Sequence, residues 1–212
     1  MRYRVLVDEG AGLGLRQGEA FGLDVDDVDF LRGTVHVRRQ VKLVGGVLFF
    51  ASPKGGKERD VPLGEAVGFR LARHLELFPP VDVTLPWKTP DGPPVTHRLI
   101  VTSGQHKAMN RNYMNAFLWK PALVAAGVLD RPAAARRHGF HGFRHTYASA
   151  MLAEGVDIRA LAEFLGHHSA AFTLEVYCHL MPAAEDRARA AADRLFSPAG
   201  ALAVPAGGGS GA

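Results

Sequence analysis

The alternation between Thr34 and Ser52 constrains the fold more than any other feature of the 212-residue chain. "TVHVRRQVKLV" (34–44) alternates apolar and polar side chains, Gly45-Gly46 supplies a tight turn, and "VLFFAS" (47–52) reads as the returning strand. Period-two patterning of this kind makes a half-buried antiparallel pair and gives a helix no apolar stripe. "SPKGGKERDVPL" then reads as a second tight hairpin tip leading into a third strand near 58–63. Most of the rest is helical. Residues 3–23 read as a helix interrupted by glycines, and 64–78 as a helix stopped by Pro79-Pro80. After a proline-rich stretch, 79–108, with a strand at 97–102, helices are expected over 110–126, 141–154, 157–166, 170–179 and 182–196. Asn110, Asp157 and Ser169 stand where N-caps belong, and Gly155 and Gly166 suit helix ends. The expected class is α+β, mostly helical, with a small antiparallel three-stranded sheet. Residues 1–196 would form the folded domain, and the Gly/Ala/Pro-rich 197–212 a disordered tail.

Composition narrows the function classes. A single cysteine, Cys178, rules out a disulfide framework and a multi-cysteine metal site, and it reads as a small buried side chain. No apolar run approaches the ~20 residues that cross a bilayer, and the opening MRYRVLVDEGAG lacks the pattern of a secretory leader. The expectation is a cytoplasmic protein with no membrane partner. Net charge is +4, but residues 92–153 hold eight Lys and Arg against one acid, Asp130. That asymmetry suits a polyanion, nucleic acid first, and equally a solvated basic surface.

The segment "HGFRHTYAS" (141–149) bears on the choice, although alone it reads as readily as a satisfied helix surface. On a helix, His141, Arg144 and His145 share a face. A guanidinium beside two imidazoles repels a bound cation, so a metal site is disfavoured. The same groups suit a phosphate: the planar fork grips two oxygens and an imidazole donates a third hydrogen bond. Downstream, "LGHHSAAFTLEVY" places His167 after a glycine-ended helix and Tyr177 ten residues later; upstream, "GLRQGEAFGL" sets Arg16 and Glu19 on one turn.

With these motifs in hand, the chain resembles the tyrosine recombinases, or phage-type integrases, in an actinobacterial-like subgroup. The family pattern runs Arg in G-L-R-x-G-E, Lys on a β-hairpin, H-x-x-R, L-G-H and a C-terminal Tyr, and all five parts occur here in order over about residues 10 to 196. The resemblance implies a tyrosine-recombinase-like catalytic domain for site-specific DNA recombination and integration, in the manner of a mobile genetic element. Tyr177 would attack a DNA phosphodiester and hold a 3′-phosphotyrosyl bond. Arg16 and Arg144 would clamp the non-bridging oxygens, His141 and His167 would hydrogen-bond the phosphate or assist proton transfer, and Lys54 would protonate the departing 5′-oxygen. Glu19 would orient Arg16, and His145 would support from beside the site. The implied partners are double-stranded DNA carrying an attachment or core site, and further copies of the chain as a homo-tetramer on DNA. No cofactor, metal or small-molecule substrate is implied, because the phosphotyrosine bond itself conserves the energy for rejoining.

Some details depart from the commonest pattern: Phe143 stands in "HGFRH", His168 follows His167, and Lys57 competes with Lys54, which is favoured for its early place in the hairpin. Met1 lies close before Arg16, so the helical amino-terminal domain that members carry is expected to be absent, which leaves stand-alone activity open. The alternative is a truncated, non-catalytic DNA-binding remnant. A metal-dependent hydrolase lacks an H-E-x-x-H or a carboxylate-rich cluster.

Overall fold

A computed structural model describes residues 2–131, 138–178, 189, 192–194 and 196. Helix α1 (Val5–Leu13) ends at Gly14, whose left-handed backbone (φ 63°) turns the chain into α2 (Gln17–Phe21). A side chain at Gly14 would also meet Tyr147, since a Cβ there would lie 2.6 Å from the ring carbon Cδ1. The single interrupted helix expected over 3–23 is therefore two helices, separated by the turn that carries Leu15 and Arg16.

The strands follow: β1 (Val28–Asp29), β2 (Thr34–Val37), β3 (Gln40–Val44), β4 (Val47–Ala51) and β5 (Arg59–Pro62). A three-stranded antiparallel sheet has the order β1-β2-β5, while β3 and β4 pair separately around Gly45-Gly46. The strand expected over 34–44 is thus split at Arg38-Arg39. The cause is Arg39, which turns inward, forms a two-pronged ion pair with buried Asp27 and donates to the Gly22 carbonyl. The register shows a second departure. Val37 lies opposite Arg59 and Gln40 opposite Ala51, so one long ribbon extrudes residues 52–58 from its middle, opposite 38–39. Lys54 rides on that extruded loop and not on a hairpin tip.

Helix α3 (Glu65–Leu77) matches its expected position. The proline-rich stretch holds a hairpin, β6 (Val81–Pro86) with β7 (Pro94–Leu99), where a strand over 97–102 was expected. Its prolines close β6 and open β7, positions where a missing N–H is tolerated. The Lys88 N–H donates to the Phe50 carbonyl at 2.7 Å, fastening this hairpin to β4.

Asn110 caps α4 (Arg111–Tyr113), accepting from the N–H groups of Asn112 and Tyr113. The helical run continues through a wider π-turn, Met114–Trp119, into α5 (Lys120–Ala125). Next come α6 (His141–Ala153), α7 (Ile158–Leu165) and α8 (Ala170–Tyr177), with Asp157 and Ser169 as N-caps of the last two and Gly166 in left-handed conformation closing α7. Cys178 is exposed: Tyr177 points inward, and the next residue along the helix points out. The helix expected over 182–196 lies mostly, and the tail 197–212 wholly, outside the described residues. Helix α1 packs between α6 and α3, α2 rests on β3, and α7 lies against β5 and α8. Leu13, Leu15, Val35, Phe50, Val61, Leu71, Leu99, Leu161 and Leu165 are fully buried in one core, each large side chain contributing about 1.5–3 kcal/mol. Among the described residues no helix is long and apolar enough to cross a membrane.

Candidate active site

Arg16 is the N-cap of α2, and Glu19 is the third residue of that helix. Glu19 Oε2 accepts the Arg16 backbone N–H at 2.9 Å, and Oε1 accepts from Arg16 Nη1 at the same distance. The R-x-x-E spacing is thus a capping arrangement that also sets the guanidinium. Arg16 Nη2 reaches the Gly166 carbonyl, 3.2 Å away and 150 residues along the chain.

Arg144 lies one turn into α6 and is buried, 1% exposed. Its guanidinium donates to the Gly14 carbonyl at 2.7 Å and to the Leu165 carbonyl. Burial, with Arg16 nearby, lowers its pKa to about 9, so it stays charged at neutral pH. His141 and His145 are exposed on the same helix, their rings edge to face at 4.6 Å. The face they share with Arg144 is therefore graded, imidazoles outward and guanidinium inward. Burial first, then His145, Arg144, Arg16 and Lys54, lower the pKa of His141, which is neutral at pH 7.

His167 follows Gly166. Burial and the charges of Arg144 and Arg16 push its pKa down to about 4, so it is neutral too. Its Nδ1 lies 2.8 Å from the Thr173 hydroxyl, which leaves Nε2 free to face a ligand. Tyr177 closes α8, 1% exposed, with its ring stacked over His167 (centroids 6.4 Å apart, 12° between planes) and 5.5 Å from the His145 ring. Burial raises the phenol's pKa against the opposing pull of Arg144 and Arg16, so the hydroxyl keeps its proton.

Of these groups, Arg16 and His141 line a cleft of about 1070 Å³, together with Lys42, Lys54, Arg111 and Lys120 among others. A second opening of about 470 Å³ on the other side of Lys54 adds Lys88. Lys54 lines both and Lys57 neither. A groove walled by Arg16, Lys42, Lys54, Arg111 and Lys120, with buried Arg144 and Tyr177 electrostatically coupled to Arg16, fits a polyanion.

The structure brings together Arg16, Glu19, Lys54, His141, Arg144, His145, His167 and Tyr177, all anticipated from sequence. It adds Thr173, which sets the ring of His167, and Arg59 on β5, which grips Glu19 at 3.0 and 2.6 Å. Thr173 gave no signal. Arg59 gave one: strand alternation puts it on the inward face with Val61, where an arginine needs a partner. Among the described residues, no group of three or more His, Cys, Asp or Glu stands ready for a metal ion.

The profile of the phage integrase family matches residues 1–183. The tyrosine recombinase XerC of Mycobacterium leprae is 30% identical over 180 residues, covering 85% of this chain and 50% of that protein. XerC of Staphylococcus carnosus is 30% identical over 168 residues, covering 79% and 46%. The chain therefore spans about half the length of the curated relatives it matches. Among solved structures, the Tn1549 transposon integrase in complex with circular intermediate DNA superposes with a TM-score of 0.69 at 22% identity, over 91% of this chain and 59% of that one. At that identity the likeness establishes the fold.

Proposed function

The chain belongs to the phage integrase family, and from that premise we propose that it is the catalytic part of a tyrosine-type site-specific recombinase, cutting and rejoining double-stranded DNA. The observation that carries the reading is the position of Tyr177: a buried phenol under the joint influence of two guanidiniums, one of which, Arg16, lines the cation-walled cleft. Arg16 and Arg144 hold the non-bridging oxygens of the scissile phosphate and offset the charge that grows in the pentacoordinate transition state. The Tyr177 oxygen forms the new bond to phosphorus, and the bond to the 5′-oxygen breaks. A phenol that keeps its proton needs an acceptor; neutral His141 is one candidate, and His145, whose ring lies 5.5 Å from that of Tyr177, is the other. His167 donates from Nε2 to the phosphate when the Thr173 hydroxyl turns its proton from the Ser169 carbonyl, 3.3 Å away, to Nδ1. Lys54 gives its proton to the leaving 5′-oxygen. The product is a 3′-phosphotyrosyl bond and a free 5′-hydroxyl, and attack by a second 5′-hydroxyl reverses the exchange without an external energy source. In this reading four copies act on two duplexes.

The test is a nicked duplex carrying the core site, incubated with the full chain at low salt, where phosphate contacts bind most tightly. The expected result is an SDS-resistant protein–DNA adduct that is lost in Tyr177→Phe while DNA binding persists. Binding without an adduct in the native chain overturns strand transfer in favour of a non-catalytic DNA-binding role. Crosslinking on paired core sites tests the four-copy assembly.

A further inference from the structure

Three successive backbone carbonyls at the end of α7 each accept from a different arginine. Arg59 Nε donates to Phe164 at 2.7 Å, Arg144 Nη2 to Leu165, and Arg16 Nη2 to Gly166 at 3.2 Å. The last carbonyls of a helix have no partner within it and lie at its negative end, so cations seat there readily. Two of these arginines belong to the phosphate clamp. The third, Arg59, is 7% exposed and has all three of its nitrogens held inside the protein, which places it behind the clamp. Its other two nitrogens grip both oxygens of Glu19, the carboxylate that sets Arg16. The Arg59 stem also packs on Gly166, where an added Cβ would lie 3.0 Å from Arg59 Cδ.

We propose that Arg59 is a positioning residue for strand cleavage: it fixes Glu19, through Glu19 it aims Arg16, and through Phe164 it registers that aim against the helix end that holds Arg144 and precedes His167. The inference rests on the recombinase reading and extends it to a residue outside the family motifs described above. Burial alone would raise the carboxyl pKa of Glu19; hydrogen bonds and charge from Arg59, then Arg16, outweigh burial and keep it ionised. The charged groups facing Glu19 are Arg16 from α2, Arg59 from β5 and Arg144 from α6. Without Arg59, Glu19 loses two charge-assisted bonds and takes up a proton at higher pH. A neutral Glu19 holds Arg16 weakly, and the clamp loses one jaw's alignment while its charge remains.

The experiment compares single-turnover cleavage of the nicked duplex by wild type, Arg59→Met, Arg59→Lys and Arg59→Met/Glu19→Gln between pH 6 and 9, with DNA affinity measured in parallel. The expected result for Arg59→Met is affinity nearly unchanged and a cleavage rate down by about a hundredfold at pH 6.5, the scale of a misaligned catalytic group. That loss recovers as pH rises, because Glu19 ionises again. The recovery is absent from the double variant, which has no carboxylate to ionise. Arg59→Lys keeps a charge beside Glu19 and shows the same acid limb in weaker form, so it serves if Arg59→Met does not fold. A ¹³C titration of the Glu19 carboxyl in wild type and Arg59→Lys reads the same change without activity, and the variant's value is expected to be the higher. Wild-type cleavage in Arg59→Met, or a loss equal at every pH and unmoved Glu19 titration, overturns the role of Arg59. No adduct from wild type overturns the recombinase reading itself.

Discussion

The arginine clamp and the Lys54 loop face the same cleft and are built in opposite ways. Arg16 and Arg144 are seated on backbone carbonyls, with Glu19 and Arg59 behind them, on elements brought together from across the chain. Lys54 is exposed on residues 52–58, followed by Gly55 and Gly56 in left-handed conformation, and no hydrogen bond from its amine is among those of the described residues. On the proposed mechanism, the difference follows from timing. Clamp groups meet charge that is present from binding through the transition state, so fixing them in advance removes reorganisation from the barrier. A proton donor to a leaving oxygen must follow an atom that moves. A loop supplies that freedom and carries little of the fold's stability.

Variants can break this contrast. Arg144→Ala should have the largest effect. It removes two donors to the phosphate, each worth roughly a hundredfold, so cleavage should fall about ten-thousand-fold. It also orphans the Gly14 and Leu165 carbonyls, and a chemical-denaturation curve should show a loss of about 1–3 kcal/mol per carbonyl left unsatisfied. Lys54→Ala should slow cleavage by about a thousandfold. Its stability should stay within about 0.5 kcal/mol of wild type, because the loop is exposed. Replacing the leaving 5′-oxygen with sulfur, which departs without a proton, should restore most of the Lys54→Ala rate and none of the Arg144→Ala rate. If sulfur rescues both equally, the division of labour is wrong. Gly166→Ala should fall between them in stability, costing about 1–2 kcal/mol for a left-handed alanine, and below both in its effect on cleavage, with a tenfold-scale loss if the crowded Arg59 shifts.

Much of this contrast could be read in the sequence. The resemblance to the recombinase motif order gathered the clamp, the imidazoles and the phenol, and the strong helical periods around them located their elements. Several features could not. The split at Arg38-Arg39 depends on a buried ion pair to Asp27, which no local pattern encodes, and it alone changes the Lys54 hairpin into an extruded loop. The β6–β7 hairpin was hidden by prolines that prove to sit at strand ends. Cys178 was misplaced because an apolar neighbourhood in sequence does not fix which way a helix end faces.

The smallest effect concerns two buried glutamates ten residues apart. Glu19 is ionised among arginines, while Glu9 is fully buried and neither of its oxygens has a hydrogen-bond partner among the described residues. Burial, then Asp8, raises the Glu9 pKa well above its usual value. Below the unfolded-state pKa, about 4.3, Glu9 is protonated in both states and costs nothing. Above it, the unfolded chain releases a proton that the folded chain keeps, so stability falls as pH rises. Glu9→Gln should therefore be more stable than wild type at pH 8, with the gap closing towards pH 4 in thermal melts. Glu19 has the opposite sign: its depressed pKa adds stability above the unfolded value, and that is lost as acid protonates the folded carboxylate.

The nucleophile and the clamp stand on different helices. Tyr177 ends the eight-residue α8, whereas the arginines brace on the end of α7, and residues 166–169 are the covalent link between two helices that also pack on each other. After cutting, the severed strand would hang from α8 alone, like a line moored to a small float beside a fixed pier. Tension on that line would be taken up at the joint between the helices, and the jaws would keep their grip while the strands change places.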